Sequence, residues 1–347
     1  MKQLTLFSFL LVALLFNACK DDDQPHNDCF TEPNRIGLNL TILEGPTISL
    51  PAKISVFFKV QDDNGNPVGF LTEENFLIYE KGLNDACPRI ISEFEAKRKI
   101  SAKEQVFSHT TVLVLDLSGS VLETSLTQLQ QAAVTFIDEV IDTADASKKM
   151  GIWWFDGADT LHQLVAPTAD PFVLKAGINS IIPGMSTDNS TDLYGAVIKA
   201  AAEAKDILTE FQAQDIASAA SVVIFTDGRD RANRYLRQDA INAVNSSPQD
   251  ITFFTIGVGN EIEVSDLTAI GRNGFAQAAT VTQLSSIFKQ VATLVANEAN
   301  SYYLFEYCSP IRSGTSNTLV IEVFEGNSTG YIEKIFDATG FTGGCQL

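Results

Sequence analysis

The chain has 347 residues, 45% of them hydrophobic, and 43 acidic against 24 basic side chains give a formal charge of −19. A surface that acidic argues against nucleic acid and against electrostatic attachment to anionic lipid, and suits a cation or a partner reached through one. The three histidines are scattered and the five cysteines form no CxxC pair, so the sequence shows no zinc-ligand spacing and oxygen ligands are the chemistry to look for.

In chain order, residues 1–18 read as a signal peptide: Lys2, then an apolar run from Leu4 to Phe16, too short to span a bilayer, and the small Ala18. Cys19 after Phe-Asn-Ala resembles a bacterial lipobox, in which the thiol is acylated and becomes the new N-terminus. Lys20-Asp21-Asp22-Asp23 resembles the acidic tether of Bacteroidetes-type outer-membrane lipoproteins, and 19–34 reads as a solvated spacer. The resemblance implies an outer-membrane lipoprotein of a Gram-negative bacterium, facing outward or into the periplasm, held to the membrane by its N-terminal lipid alone. The other four cysteines allow three connectivities. Cys29–Cys87 and Cys308–Cys345 are favoured because each pair stays within one flanking segment.

Residues 35–105 predict β structure, with strands at 36–43, 54–60, 75–80 and 89–95. The intervening QDDNGNPVG (61–69) contains acidic residues but lacks calcium-loop spacing, and Asn-Gly between two strands predicts a hairpin. From 106 to 299 the pattern becomes strand–helix alternation. Apolar strands at 111–116, 150–156, 221–227 and 251–259 alternate with helical faces, such as Leu126, Leu129, Ala133, Phe136, Ile137, Val140 and Ile141. Further helical faces begin at Leu193 and Leu284. This predicts an α/β domain with a doubly wound, mostly parallel sheet covered on both faces. Residues 300–347 return to β, with strands at 301–307, 317–325 and 329–338. Neither flank is large enough for a good core, so together they predict one β-sandwich, of immunoglobulin or fibronectin type, with the α/β domain inserted between its strands.

In an open parallel sheet, ligands bind at the carboxyl ends of the strands. Asp116, Ser118 and Ser120 in DLSGS, Thr191 in NSTDLYGAV and Asp227 in VVIFTDG fall at strand ends or helix starts. All are oxygen ligands, a set for a hard divalent cation. The three segments, in this order and followed by TIGVG (255–259), resemble the von Willebrand factor A domain with its metal-ion-dependent adhesion site, over roughly 106–299. The resemblance implies that Ser118, Ser120 and Thr191 coordinate the metal, with Asp116 and Asp227 acting directly or through water. Mg²⁺ is expected before Mn²⁺ or Ca²⁺. Ser190 and Val121 replace the Gly and Met common in the family, and neither change removes a ligand oxygen. A partner's Glu or Asp would complete the coordination, so the implied function is adhesion or envelope assembly through protein–protein contact, not catalysis. The alternative is a scaffold domain in an envelope complex whose metal site captures nothing.

Other chemistries fit less well. A serine hydrolase needs a G-x-S-x-G elbow and a nearby histidine base, but no such motif occurs, and His109, just before a strand, reads as a surface or edge residue. Gly257 and Gly259 begin a dinucleotide fingerprint that Ile262 breaks, and no Gly-Lys-Ser/Thr phosphate loop exists. Trp153 and Trp154 lie mid-strand and read as core rather than as a carbohydrate platform.

Overall fold

A computed structural model describes residues 29–32, 37–92, 94–101, 107–214 and 216–347. Cys19, the signal segment and most of the acidic tether lie outside the described residues. The N-terminal flank supplies β1 (Leu38–Ser49), β2 (Lys53–Asp62), β3 (Phe76–Lys81), β4 (Arg89–Ile90) and β5 (Arg98–Ser101). The central segment runs β6 (Phe107–Asp116), α1 (Gly119–Thr124), α2 (Leu126–Val140), β7 (Lys148–Phe155), β8 (His162–Thr168), α3 (Pro171–Asn179) and α4 (Leu193–Gln212). It continues β9 (Ala217–Thr226), α5 (Arg237–Asn245), β10 (Ile251–Val258), α6 (Val264–Ile270), β11 (Gly274–Ala278) and α7 (Leu284–Ala299). The C-terminal flank adds β12 (Tyr302–Cys308), β13 (Asn317–Glu325) and β14 (Ser328–Phe336).

The flanks interleave. One four-stranded sheet has the order β1-β2-β12-β5 and the other β14-β13-β3-β4, so each contains strands from both ends of the chain. Alternating apolar residues point between the two sheets, and Val56, Phe58, Phe76, Ile78, Phe305, Ile321 and Val323 share one buried core. Disulfides close each flank, Cys29–Cys87 with Cα atoms 5.5 Å apart and Cys308–Cys345 with 5.8 Å.

The six-stranded sheet has the order β11-β10-β9-β6-β7-β8, parallel except for the edge pair β7–β8. The strands β6, β9 and β10 are buried along nearly their whole length, because helices cover both faces. On one face α2 presents Leu129, Ala133, Phe136 and Val140 at helical spacing beside Phe288 and Val291 of α7. On the other, Ala196, Val197, Ala200 and Ala204 of α4 pack against Val112, Val114 and Val222. Trp153 and Trp154 are buried on opposite faces, and Trp154 stacks on His162 with ring centroids 4.0 Å apart. Among the described residues no helix is long and apolar enough to cross a membrane.

Two local expectations are corrected and a third is met in shorter form. His109 is neither at the surface nor at an edge: β6 begins at Phe107, and His109 is 1% exposed in the middle of the sheet, its Nε2 3.1 Å from Ser221 Oγ. Burial, reinforced by Lys59 and Lys148, lowers its pKa to about 3. The strand expected over 89–95 ends at Ile90, because Glu95 turns back to accept from the Ser92 amide and the Arg89 guanidinium. The turn at 61–67 forms around Asp62, whose carboxylate accepts from the amides of Asn64 and Asn66. The chain doubles back here as expected, Gln61 bridging antiparallel to Pro67 and the Val68 amide donating to Val60 O at 3.0 Å, but the hairpin is short and β3 itself joins the other sheet.

The junction between the sandwich and the α/β unit is polar and buried. Lys59 of β2 pairs with Glu298 at the end of α7 at 2.5 Å, and Tyr302 donates to the same Glu298 oxygen at 2.9 Å. Phe57, Phe107 and Leu304 pack beside them.

Candidate metal centre

Three adjacent strands, β7, β6 and β9, run parallel and end at one edge of the sheet, where Asp156, Asp116 and Asp227 follow or close them. Strand order reverses here, since the chain leaves β6 for β7 on one side and later places β9 on the other.

Asp116 is fully buried. Its Oδ1 accepts from the Ser118 amide at 2.8 Å and its Oδ2 from the Thr226 hydroxyl at 2.6 Å. Ser118 Oγ lies 3.4 Å from Ser120 Oγ, and Ser120 Oγ donates to Asp227 Oδ1 at 3.0 Å. Ser120, Thr191 and Asp227 line a cavity of 480 Å³ together with Asn189, Arg231 and Glu261. Four of the five expected ligands are thus chained together, Asp116 to Ser118 through the Ser118 amide and Ser118, Ser120 and Asp227 through their side-chain oxygens, and Thr191 lines the same cavity. Asp116 and Ser118 lie behind this lining, at 0% and 1% exposure.

Two positioning residues escaped the sequence reading. Thr226 bridges Asp116 to the next loop, because the Gly228 amide donates to its hydroxyl at 3.1 Å. Asp156 is fully buried and moors the loop before Thr191: its Oδ2 accepts from Ser186 Oγ at 2.8 Å and from the amides of Thr187 and Asp188, and its Oδ1 from the Ala158 amide. Burial alone would raise its pKa, but these four donors hold it below the ordinary aspartate value. The loop nests so closely that a Cβ on Gly157 would lie 2.1 Å from Ser190 Oγ. The three loops also hold one another. The Gly119 amide donates to Asn189 O at 3.2 Å, and the amides of Arg231 and Ala232 donate to Thr191 O at 2.9 and 3.1 Å. In the sequence Asp156 lies 30 residues before Ser186 and Thr226 lies 110 after Asp116, and nothing but an aspartate ending an apolar strand marks Asp156.

The electrostatics suit a cation. Burial first, and then the charge of Asp227, raise the pKa of Asp116 to about 7. Burial likewise raises that of Asp227. Arg231, the guanidinium lining the cavity, is engaged with Glu261. Two crowded carboxylates and three hydroxyls, all oxygen, fit a hard divalent cation, whose charge would offset their repulsion. Among the described residues no three His, Cys, Asp or Glu side chains gather as a metal cluster, so the hydroxyls are indispensable to the set. Neither His109 nor His162 lines the cavity: His109 lies at the far end of β6 and His162 stacks on Trp154.

No curated protein sequence matches the chain. Solved structures with partial likeness include a von Willebrand factor type A protein from Catenulispora acidiphila, with 11% identity over 89% of this chain and 75% of that one, TM-score 0.46. Another is the conserved hypothetical protein BatB from Bacteroides thetaiotaomicron, with 17% identity over 56% and 100%, TM-score 0.43. A third is the manganese-loaded TRAP protein of Plasmodium vivax, with 12% identity over 70% and 97%, TM-score 0.45. Residues 111–229, the stretch holding all five expected ligands, match the family model of the von Willebrand factor type A domain. On that match the α/β unit is a von Willebrand factor A-type fold with a mostly parallel central sheet.

Proposed function

We propose that this protein binds a divalent cation through Asp116, Ser118, Ser120, Thr191 and Asp227 and uses it to capture an acidic side chain of a protein partner. Von Willebrand factor type A domains typically serve adhesion or protein interaction and often bind a divalent metal, which fits the match over 111–229. The observation that carries the reading is the convergence of two carboxylates and three hydroxyls at the carboxyl ends of adjacent strands, beneath an open cavity. Neutral hydroxyls matter because they hold the ion without satisfying its charge. Mg²⁺, or Mn²⁺ or Ca²⁺ in its place, would supply an electrophilic centre for an incoming carboxylate. Ser118 and Ser120 offer oxygens from the first loop, and Thr191 one from the second. Asp116, fixed by the Ser118 amide and Thr226, and Asp227, held by Ser120, supply the anionic side.

Cys19, as the acylated N-terminus, would tether the domain to the outer membrane, giving an envelope adhesin or assembly factor. Thermal melting with EDTA or millimolar Mg²⁺, Mn²⁺ or Ca²⁺ tests the site, since a ligand bound only by the folded state raises Tm by mass action. A Tm indifferent to all three ions, or an Asp116→Ala protein responding like the wild type, refutes it. The tether is tested separately: Cys19→Ser protein that still fractionates with membranes rules out the lipid.

A further inference from the structure

We infer that the cavity above the cation site takes a partner segment carrying two acidic groups, one for the cation and one for the guanidinium of Arg231, and that Glu261 of this chain occupies the second position beforehand. The inference rests on the cation reading above and names the class of partner.

Arg231 and Glu261 line the same cavity as Ser120, Thr191 and Asp227, and their side chains form an ion pair there. The arginine is referenced to the ligand loops through its backbone, because its amide holds Thr191 O at 2.9 Å. Its side chain is free to exchange partners. Arg231 and Glu261 are 57% and 70% exposed, and an ion pair so open to water contributes little and reforms readily with another carboxylate. The neighbouring arginines differ. Arg237 pairs with Asp266, whose side chain is only 7% exposed, and Arg234 is tied to Gly157 O and Asp188. Arg229 donates to the Glu261 carbonyl at 3.5 Å and meets no carboxylate within ion-pair range among the described residues.

Charge distribution points to the same class of ligand. The chain carries −19 overall, yet four arginines fall within residues 229–237, directly after Asp227. An acidic partner is repelled by most of this surface. The cation and Arg231 in the cavity wall form a local exception, and a guanidinium is the side chain best shaped to take a carboxylate by two hydrogen bonds. A ligand with one acid satisfies the cation alone and leaves Glu261 in place. A ligand with two displaces Glu261 and gains the second contact.

The test uses the full, disulfide-bonded chain loaded with Mn²⁺, whose effect on water-proton relaxation reports displacement of its bound water. Capped glycine peptides carrying one Glu, or two Glu separated by one to three residues, are titrated into wild type, Arg231→Gln and Glu261→Gln, with Mn²⁺ affinity measured for each so that occupancies match. The best diacidic peptide should bind wild type roughly three- to tenfold tighter than the monoacid, as expected for one added charge-assisted contact. That preference should vanish in Arg231→Gln and grow severalfold in Glu261→Gln. Equal binding of both peptide classes to Mn²⁺-loaded wild type, or a Glu261→Gln protein indistinguishable from it, overturns the inference and leaves the cation reading standing. Failure to bind Mn²⁺, or bound Mn²⁺ that no single-Glu peptide perturbs, overturns the cation-capture reading, and this inference falls with it.

Discussion

Lowering the pH from 7.5 to 4.5 should remove about 3 kcal/mol of stability through His109 alone. In the folded chain its imidazole is buried between β7 and β9, neutral, and holds its proton only below about pH 3. In the unfolded chain it titrates at the ordinary value of about 6.5. Between these two values the unfolded state binds one more proton, so stability falls as pH falls, by about 1.4 kcal/mol per unit, and is fully present above pH 6.5. At pH 4.5 the unfolded histidine is charged and the folded one is not, so any folded pKa below about 4 gives nearly the same loss. Carboxylates also titrate in this range, and those with raised values, Asp116 and Asp227, act in the opposite sense. The measurement is therefore a difference between wild type and His109→Gln, whose glutamine can still reach Ser221. Urea unfolding in EDTA, followed by the fluorescence of buried Trp153 and Trp154, gives each stability at pH 7.5, 6.0 and 4.5. The wild type should lose ground to the variant by about 3 kcal/mol across the range. A difference that stays flat to within about 1 kcal/mol, or a His109 proton resonance titrating near pH 6.5, refutes the burial argument.

Other consequences can be measured alongside. Lys59→Met leaves Glu298 buried without its cation and should cost about 3–5 kcal/mol by denaturant titration, whereas Lys59→Met with Glu298→Leu should recover most of that loss. Asp156→Asn turns an amide NH₂ toward donors in the 186–188 loop. Mg²⁺ affinity by calorimetry should fall roughly ten- to a hundredfold, as for other supports one shell from a metal, while the variant unfolds cooperatively in EDTA. Removing Cys308–Cys345 by a double Ser substitution opens a closed loop of 37 residues and should lower stability by roughly 4 kcal/mol.

The sequence announces what repeats and hides what is assembled across distance. The runs VLVLD, SVVIF and ITFFTIGV are apolar throughout because both faces of their strands are covered, and that pattern is local. The loops of the proposed cation site were legible for the same reason, as polar oxygens stacked at the ends of those runs. The start of β6 was not, because Ser108, His109 and Thr110 look like a polar linker and are buried only because β7 and β9 flank them. β8 is a half-exposed edge strand containing Pro167, too weakly patterned to stand out. The helix α3 carries its own start signal, Asp170 accepting from the Phe172 amide ahead of Pro171 at the first position, but it is only nine residues long. Asp156 and Thr226 are ordinary until the loops they hold are brought beside them.

Where β6 lies decides how the molecule would bear a load. Its first residue, Phe107, packs against Tyr302 beside the sandwich, and its last, Asp116, lies at the proposed cation site about 30 Å away. Tension between a captured partner and the anchored end of the chain would run along this one strand. β7 and β9 flank it in parallel along almost its whole length, so β6 could slide only by breaking hydrogen bonds on both sides together. The strand that ends in the proposed ligand loop would then be loaded in shear, the geometry in which a sheet resists pulling rather than unzipping.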